Sequence, residues 1–317
     1  MGPVEAVSLD DIRAAARRIR GLAVRTPLLS LGAADASNVH LKLENLQPVG
    51  SFKVRGAANS VALQAPDELA GGIGTASAGN MGRAVAWLAR QRGLACTVVV
   101  PDDAPAAKLE PMRQLGATIV REPFERWWQA MVDGRHPAIE GAFLNAFASE
   151  PMIAGDGTIG LEIVDELPDI SAVVVPFGGG GLSSGIACAI RALRPGVPVY
   201  AAEVEGAAPL AAALDAGAPV TIELQRSFVD GIGSSRVTDA MWPLVSTVLA
   251  GSIVVSVDEV RAAMRLLVSR ARVVAEGAGA AALAAALTGR AGSRGPVVAV
   301  ISGGNIDPPL LAATLRG

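Results

Sequence analysis

The chain is short of the residues that carry much of protein chemistry. Among its 317 residues are two cysteines, two histidines, three lysines and one tyrosine, and aromatic residues make up 3%. Cys96 and Cys188 cannot build a disulfide framework, and with only His40 and His136 beside them there is no zinc-ligand spacing. A reducing compartment is expected. No run of about 18 apolar residues occurs, and Glu5, Asp10, Asp11, Arg13, Arg17 and Arg18 stand where a signal peptide needs an apolar stretch. The reading is a soluble, cytoplasmic protein without a membrane partner. With 27 basic and 30 acidic residues the net charge is −3, so no electrostatic pull toward nucleic acid is expected.

What is present is apolar and rich in glycine. Hydrophobic residues make 51% and charged residues 18%, against about 25% charged in an average domain, and there are 36 glycines. At about 150 residues per domain the length allows two domains or one large α/β unit. Short β-branched runs at 97–100, 172–176, 197–202, 253–257 and 297–301 stop at glycine or proline and give way to stretches of helical period. Those helical stretches are 9–20, 81–91, 182–193, 257–270 and 279–287. This alternation predicts an α/β chain with buried, mainly parallel sheets flanked by helices. Residues 70–142 carry their own strand and helix alternation and are expected to form a small inserted domain, with 1–69 and 143–317 forming the large one. Within it, 122–144, containing Trp127 and Trp128, reads as the least regular part and as a mobile cover.

Four loops carry the chemistry. The strand at 172–176 leads through Phe177 into Gly178, Gly179, Gly180 and Gly181 and then a helix beginning near Leu182. Glycines admit a close backbone approach, and the free amides and positive end of the helix attract an anion, typically phosphate. The spacing is not G-x-G-x-x-G, and no lysine follows a glycine, which disfavours dinucleotide and Walker-type sites. Gly181-Leu182-Ser183-Ser184-Gly185 matches a nucleophile elbow in form, but both histidines precede Ser183, so no triad base follows it. A second loop, Gly50-Ser51-Phe52-Lys53-Val54-Arg55, sets a lysine at a helix start beside an arginine. Such a setting lowers an amine's pKa and suits it to Schiff-base chemistry. Ser77-Ala78-Gly79-Asn80 precedes another helix and offers amides and a hydroxyl to a carboxylate. Ser302-Gly303-Gly304-Asn305 lies at the C-terminal edge of the last strand, where open α/β sheets bind ligands.

Together these loops resemble the fold type II pyridoxal-phosphate enzymes, of the kind represented by tryptophan synthase β, and within them the serine/threonine dehydratase family. Arg25-Thr26-Pro27-Leu28, Leu41-Lys42-Leu43-Glu44-Asn45, Pro101-Asp102-Asp103-Ala104-Pro105, Ala154-Gly155-Asp156-Gly157-Thr158-Ile159-Gly160 and Asp230-Gly231-Ile232-Gly233 are similar to family segments in the same order. The resemblance implies pyridoxal 5′-phosphate as cofactor, a homodimer, and a small amino acid as substrate. It implies that Lys53 forms the Schiff base and later moves the Cα proton, with Phe52 beside the ring. Asn80 would hydrogen-bond the cofactor's 3′-oxygen, Ser77, Ala78, Gly79 and Asn80 would bind the substrate carboxylate, and Gly178, Gly179, Gly180, Gly181 and Leu182 would cradle the phosphate. Ser302 would meet the pyridine nitrogen. A neutral serine there makes the ring a weaker electron sink than an aspartate would, which favours β-elimination of a β-hydroxy amino acid such as L-threonine or L-serine to a 2-oxo acid and ammonia.

The sequence also departs from the family. Met81 replaces a histidine and suggests a more apolar pocket. Ala78 replaces the serine that serves racemase relatives as second base. Glu203 and Glu205 are followed by Ala207, Ala208 and Pro209, so no bound metal is expected, and the role of Glu276 in Glu276-Gly277-Ala278-Gly279-Ala280 stays open. The sequence stops soon after Ser302, from which no isoleucine-binding regulatory domain is expected. Other fold type II reactions remain open at this stage: 3-hydroxyaspartate ammonia-lyase, racemase, threonine synthase or β-replacement. So does a non-catalytic amino-acid-binding protein.

Overall fold

The computed structural model describes residues 2–32 and 38–316. Among the described residues, ten strands form two sheets: β1 (Leu28–Ser30), β2 (Val39–Lys42), β3 (Ile73–Ala76), β4 (Cys96–Pro101), β5 (Thr118–Glu122), β6 (Ala142–Phe143), β7 (Ala172–Pro176), β8 (Val199–Val204), β9 (Gly251–Val255) and β10 (Val297–Val300). The larger sheet has the order β1-β2-β10-β7-β8-β9, with β1 antiparallel and the other pairings parallel. The smaller has the order β5-β4-β3-β6 and is parallel throughout. β7 (AVVVP) and β10 (VVAV) are buried at every position, as strands covered on both faces must be.

The helices are α1 (Leu9–Arg18), α2 (Lys53–Ala62), α3 (Pro66–Ala70), α4 (Asn80–Arg92), α5 (Ala106–Gln114), α6 (Phe124–Asp133), α7 (Glu150–Glu166), α8 (Gly181–Leu193), α9 (Pro209–Ala216), α10 (Trp242–Val248), α11 (Val257–Leu266), α12 (Gly277–Leu287) and α13 (Pro308–Arg316). Much of the glycine serves contact between helices. A Cβ on Gly56 of α2 would meet Met152 Sδ of α7 at 2.2 Å, one on Gly155 would meet the Arg55 carbonyl at 2.5 Å, and one on Gly185 of α8 would meet the Ile153 carbonyl at 2.3 Å. Helices α2, α7 and α8 thus pack backbone against backbone, which fixes the entry of α2, where Lys53 stands. α12, with seven alanines among its 11 residues, is buried along almost its whole length against the larger sheet.

Several boundaries differ from the sequence reading for local reasons. The strand expected at 197–202 begins after Pro198, whose missing N–H cannot join the ladder. The strand expected at 253–257 stops before Ser256, which caps α11 in a capping box with Glu259. The helix expected through Arg270 passes at Leu267–Ala271 into a π-turn that ends at Arg272, φ +61°. The stretch at 122–144, expected to be irregular, is regular in its first half. It contains α6, whose Trp127, Ala130 and Met131 pack on Ala76 and Val99 of the smaller sheet. Tryptophan's modest helix propensity hid a 3.6-residue period that tertiary packing enforces. No helix among the described residues is long and apolar enough to cross a membrane.

Candidate active site

The four loops meet at the C-terminal ends of the parallel strands, the position where such sheets place ligands. Ser302 follows β10, and its carbonyl accepts from Phe52 N at 3.0 Å. Gly304 N donates to the Gly50 carbonyl at 2.9 Å, and Ser51 bridges Gly303. The lysine loop and the 302–305 loop are therefore one backbone unit. Asn305 Nδ2 donates to the Val49 carbonyl at 2.9 Å and to Asn80 Oδ1 at 2.7 Å, and Asn80 Nδ2 donates to Glu276 Oε1 at 2.7 Å. Arg83 donates to Asn305 Oδ1. Glu276 N in turn reaches the Gly303 carbonyl at 3.1 Å.

From Lys53 the ring of contacts closes the other way. Its Nζ donates to the Ala146 carbonyl at 2.5 Å and lies 4.8 Å from the centroid of the Phe52 ring. The next residue, Phe147, lies where a Cβ on Gly179 would be, 2.3 Å from its Cγ, and its carbonyl would be 2.9 Å from a Cβ on Gly181. A Cβ on Gly180, φ +90°, would meet Val245 at 2.9 Å. Three glycines of the loop are thus required by packing as well as by any ligand. Gly178 faces Gly231 and Ile232, and Gly231 faces Ala278 and Glu276, which returns to Asn80. Lys53, Phe52, Asn80, Ser302 and the glycine loop are therefore linked in one ring of contacts.

The donor set fits pyridoxal phosphate. Among the described residues no acceptor meets the amides of residues 178–183 at the start of α8, whose first closed bond is Ser184 N to the Gly180 carbonyl at 2.9 Å. Unpaired amides at the positive end of a 13-residue helix are the kind of donor set that fits a phosphate. In the loop before α4, Ser77 N is taken by the Val99 carbonyl at 3.0 Å and Gly79 N by Ser77 Oγ at 3.2 Å, while a Cβ on Gly79 would meet open space. Room and amides remain there for a carboxylate.

Burial sets the electrostatics. Enclosure of the Lys53 amino group pushes its pKa down against the opposing pull of Asp156. This corrects the expected cause. Arg55 does not depress Lys53, because its guanidinium is buried and bound to Glu44 (Nε to Oε2 2.8 Å) and Glu162 (Nη1 to Oε1 2.7 Å). Burial raises Glu276 to about 7 despite the hydrogen bond from Asn80, so near neutrality it exists in both protonation states.

Other sequence readings resolve differently. Met81 is 2% exposed and packs in the core under the smaller sheet, so its replacement of histidine alters packing rather than an open pocket wall. Ser183 is buried and donates to the Gly180 carbonyl at 3.1 Å, and His136 pairs with Glu122 at 3.3 Å, away from any elbow. Glu203 accepts from Leu210 N and Ala211 N, each at 2.8 Å, and from Ser252 Oγ at 2.6 Å, so both its oxygens hold the start of α9 and the edge of β9. Sequence reasoning missed Ala146, Phe147 and Arg83. The first two act through a carbonyl and through ring packing, which leave no sequence signal, whereas Arg83, on the loop-facing turn of α4, was available to helical-wheel reasoning.

The chain belongs to the family of pyridoxal-phosphate dependent enzymes, whose pattern matches residues 19–303. Among its relatives, the L-threonine ammonia-lyase of Thermotoga maritima is 38% identical over 95% of this chain and 76% of its own length. Maize serine racemase superposes with a TM-score of 0.89 at 31% identity, covering 98% of each chain. The threonine deaminase of T.th. does so with 0.86 at 33% identity, covering 95% of this chain and 99% of its own. The fold is that of the fold type II enzymes, and the protein is an enzyme of the ammonia-lyase type that depends on pyridoxal phosphate.

Proposed function

We propose that this enzyme removes water and then ammonia from a β-hydroxy amino acid, L-threonine or L-serine, to give the 2-oxo acid. Supporting this reading are similarity to an L-threonine ammonia-lyase along nearly the whole chain and the composition of the cleft. One observation separates elimination from inversion of the substrate. The loop Ser77-Ala78-Gly79 carries a methyl at 78, packed against the core of the smaller sheet, where inversion needs a second base. With Lys53 as the base, a proton leaves one face of Cα, and residue 78 offers no base to return it to the other.

Pyridoxal phosphate, when bound, supplies an electrophilic carbonyl and a ring that withdraws electrons from Cα. The rest falls to this chain. The amides of residues 178–183 hold the phosphate, and Asn80, tied between Asn305 and Glu276, holds the ring's edge. Ser302, 4% exposed, offers the ring nitrogen a neutral hydroxyl rather than a carboxylate. The loop of Ser77, Ala78, Gly79 and Asn80 takes the substrate carboxylate and turns Cα–H toward Lys53. Lys53, whose lowered pKa makes the free amine accessible, removes that proton. Phe147 and Val245, packed against the glycine loop, limit the water around the anion. The same reading includes attachment of the cofactor to Lys53, division into domains 1–69 with 143–317 and 70–142, a homodimer, and a cytoplasmic location suited to two free, buried thiols.

The test is product analysis. The purified protein is given L-threonine, L-serine and 3-hydroxyaspartate in turn, with 2-oxo acid and ammonia assayed together and the residual amino acid resolved on a chiral column. Equimolar oxo acid and ammonia from threonine or serine, with the residual substrate still L, is expected. Accumulation of the D-isomer, or product from 3-hydroxyaspartate alone, overturns it.

A further inference from the structure

Asp156 is a carboxyl that the fold buries and leaves without hydrogen bonds. Its relative exposure is 0% and neither oxygen has a hydrogen-bond partner. It lies on α7 within the glycine-lined contact with α2. A Cβ on Gly56 would come 2.8 Å from Asp156 Oδ1 and 2.2 Å from Met152 Sδ, so Gly56 makes the space the carboxyl occupies. Gly56 is three residues after Lys53, on the same face of α2. The charged groups that act on Asp156 are Lys53 and Arg55 of α2 and Glu44, and the Gly56 N–H favours its anion without completing a hydrogen bond. Arg55 is already bound to Glu44 and Glu162. Lys53, whose Nζ donates to the Ala146 carbonyl, is the other cation that acts on it, from beyond ion-pair distance. A bare carboxylate in such a place is tolerated only when it is paired or protonated.

We infer that Asp156 is a positioning residue for Lys53: a buried counter-charge, beyond direct contact, that favours the lysine's ammonium form and is itself neutralised when the lysine is converted to its cofactor-bound form. The inference rests on Lys53 being the cofactor lysine. Lys53 –NH3+ gives a proton to solvent in the cleft and becomes –NH2, and Asp156 –COO−, left without its counter-charge, takes up a proton and becomes –COOH. The free amine is the form in which Lys53 would hold the cofactor's carbonyl carbon, and Asp156 stays protonated meanwhile. The buried pair carries one proton and no net charge before and after, so the cofactor is gained without stranding a charge between α2 and α7. Burial raises Asp156 to about 7 and lowers Lys53, which brings the two affinities for the proton toward each other.

The experiment uses the full chain and pyridoxal phosphate as probe. Growth of Schiff-base absorbance is followed from pH 5.5 to 9 for the wild type and for Asp156→Asn, which keeps the shape and removes the charge. Without the anion that holds the proton on Lys53, the amine is free at lower pH, so the loading midpoint moves down by more than half a pH unit. An unmoved midpoint, or one moved upward, overturns the inference. If Asp156→Asn does not fold, Lys53→Met serves. Asp156 then stands alone with its pKa raised further, and since a raised acid stabilises below its unfolded value and loses that contribution as pH rises, the variant loses more unfolding temperature than wild type between pH 5 and 8.5. An equal loss overturns the inference. Borohydride reduction separates the two readings: cofactor fixed elsewhere than Lys53 removes the functional reading, whereas cofactor fixed on Lys53 with an unmoved midpoint removes only the role of Asp156.

Discussion

Replacing Arg55 with methionine tests whether the cleft is held by the buried charges beneath it. The Arg55 guanidinium, 2% exposed, donates to both oxygens of Glu44 (2.8 and 2.9 Å), both of Glu162 (2.7 and 2.9 Å), Thr158 Oγ1 (3.1 Å) and the Val24 carbonyl (3.1 Å). Glu44 is fully buried and keeps Thr26 Oγ1 at 2.6 Å, and Lys42 reaches Glu162 at 2.7 Å. Methionine fills most of the volume but leaves Glu44 without its cation, and breaking such a pair from one side costs about 3–5 kcal/mol. At roughly 2 °C per kcal/mol for a chain of this size, the unfolding temperature at pH 8 falls by about 6–10 °C. The pH dependence is the sharper part. Burial alone would raise the Glu44 pKa, and Arg55, Thr26 and Lys42 hold it below the usual carboxylate range. A lowered acid stabilises above its unfolded pKa and loses that as pH falls. In Arg55→Met the sign reverses, because the uncompensated acid is raised and gains stability on protonation. Scanning fluorimetry from pH 8 to pH 5 therefore shows the gap between wild type and variant narrowing. A fall under 2 °C, or a gap that widens with acid, refutes the account of this network.

Two further outcomes follow from local geometry. Gly179→Ala drives a methyl to 2.3 Å from the Phe147 ring and costs about 1–3 kcal/mol with a weakened cofactor affinity. Phe147→Leu in the same chain recovers most of the loss, whereas a Gly179→Ala protein as stable as wild type contradicts the packing. Burial pushes the Cys96 thiol up to about 12 and raises Cys188, so at pH 8 only about one Cys96 in 10^4 is thiolate. An Ellman titration expects no fast thiol in the native protein and two in urea, and one fast native thiol contradicts it.

Much of this was legible in the sequence because two constraints repeat. Strands buried on both faces must be unbroken apolar runs, which made β7 and β10 readable. Loops at their C-terminal ends must carry small or polar residues, which marked Lys53, Gly178 to Gly181 and Ser302. What stayed hidden depends on distant partners. α6 is a helix because the smaller sheet needs a cover. Lys53 is perturbed by enclosure rather than by its neighbour Arg55, whose partners lie at 44 and 162. Asp156 looked like one more member of a glycine-rich segment, and only the packing of α7 on α2 shows it buried beside the lysine's helix.

The three lysines make the central claim directly measurable. Lys42 is fully buried against Glu162, and Lys108 pairs with Asp230. The protein loaded with pyridoxal phosphate is reduced with borohydride, digested and mapped by mass spectrometry. The account predicts a pyridoxyl group on the peptide containing Lys53, absent from Lys53→Ala. A label confined to Lys108, Lys42 or the N-terminus, or no label at all, contradicts it.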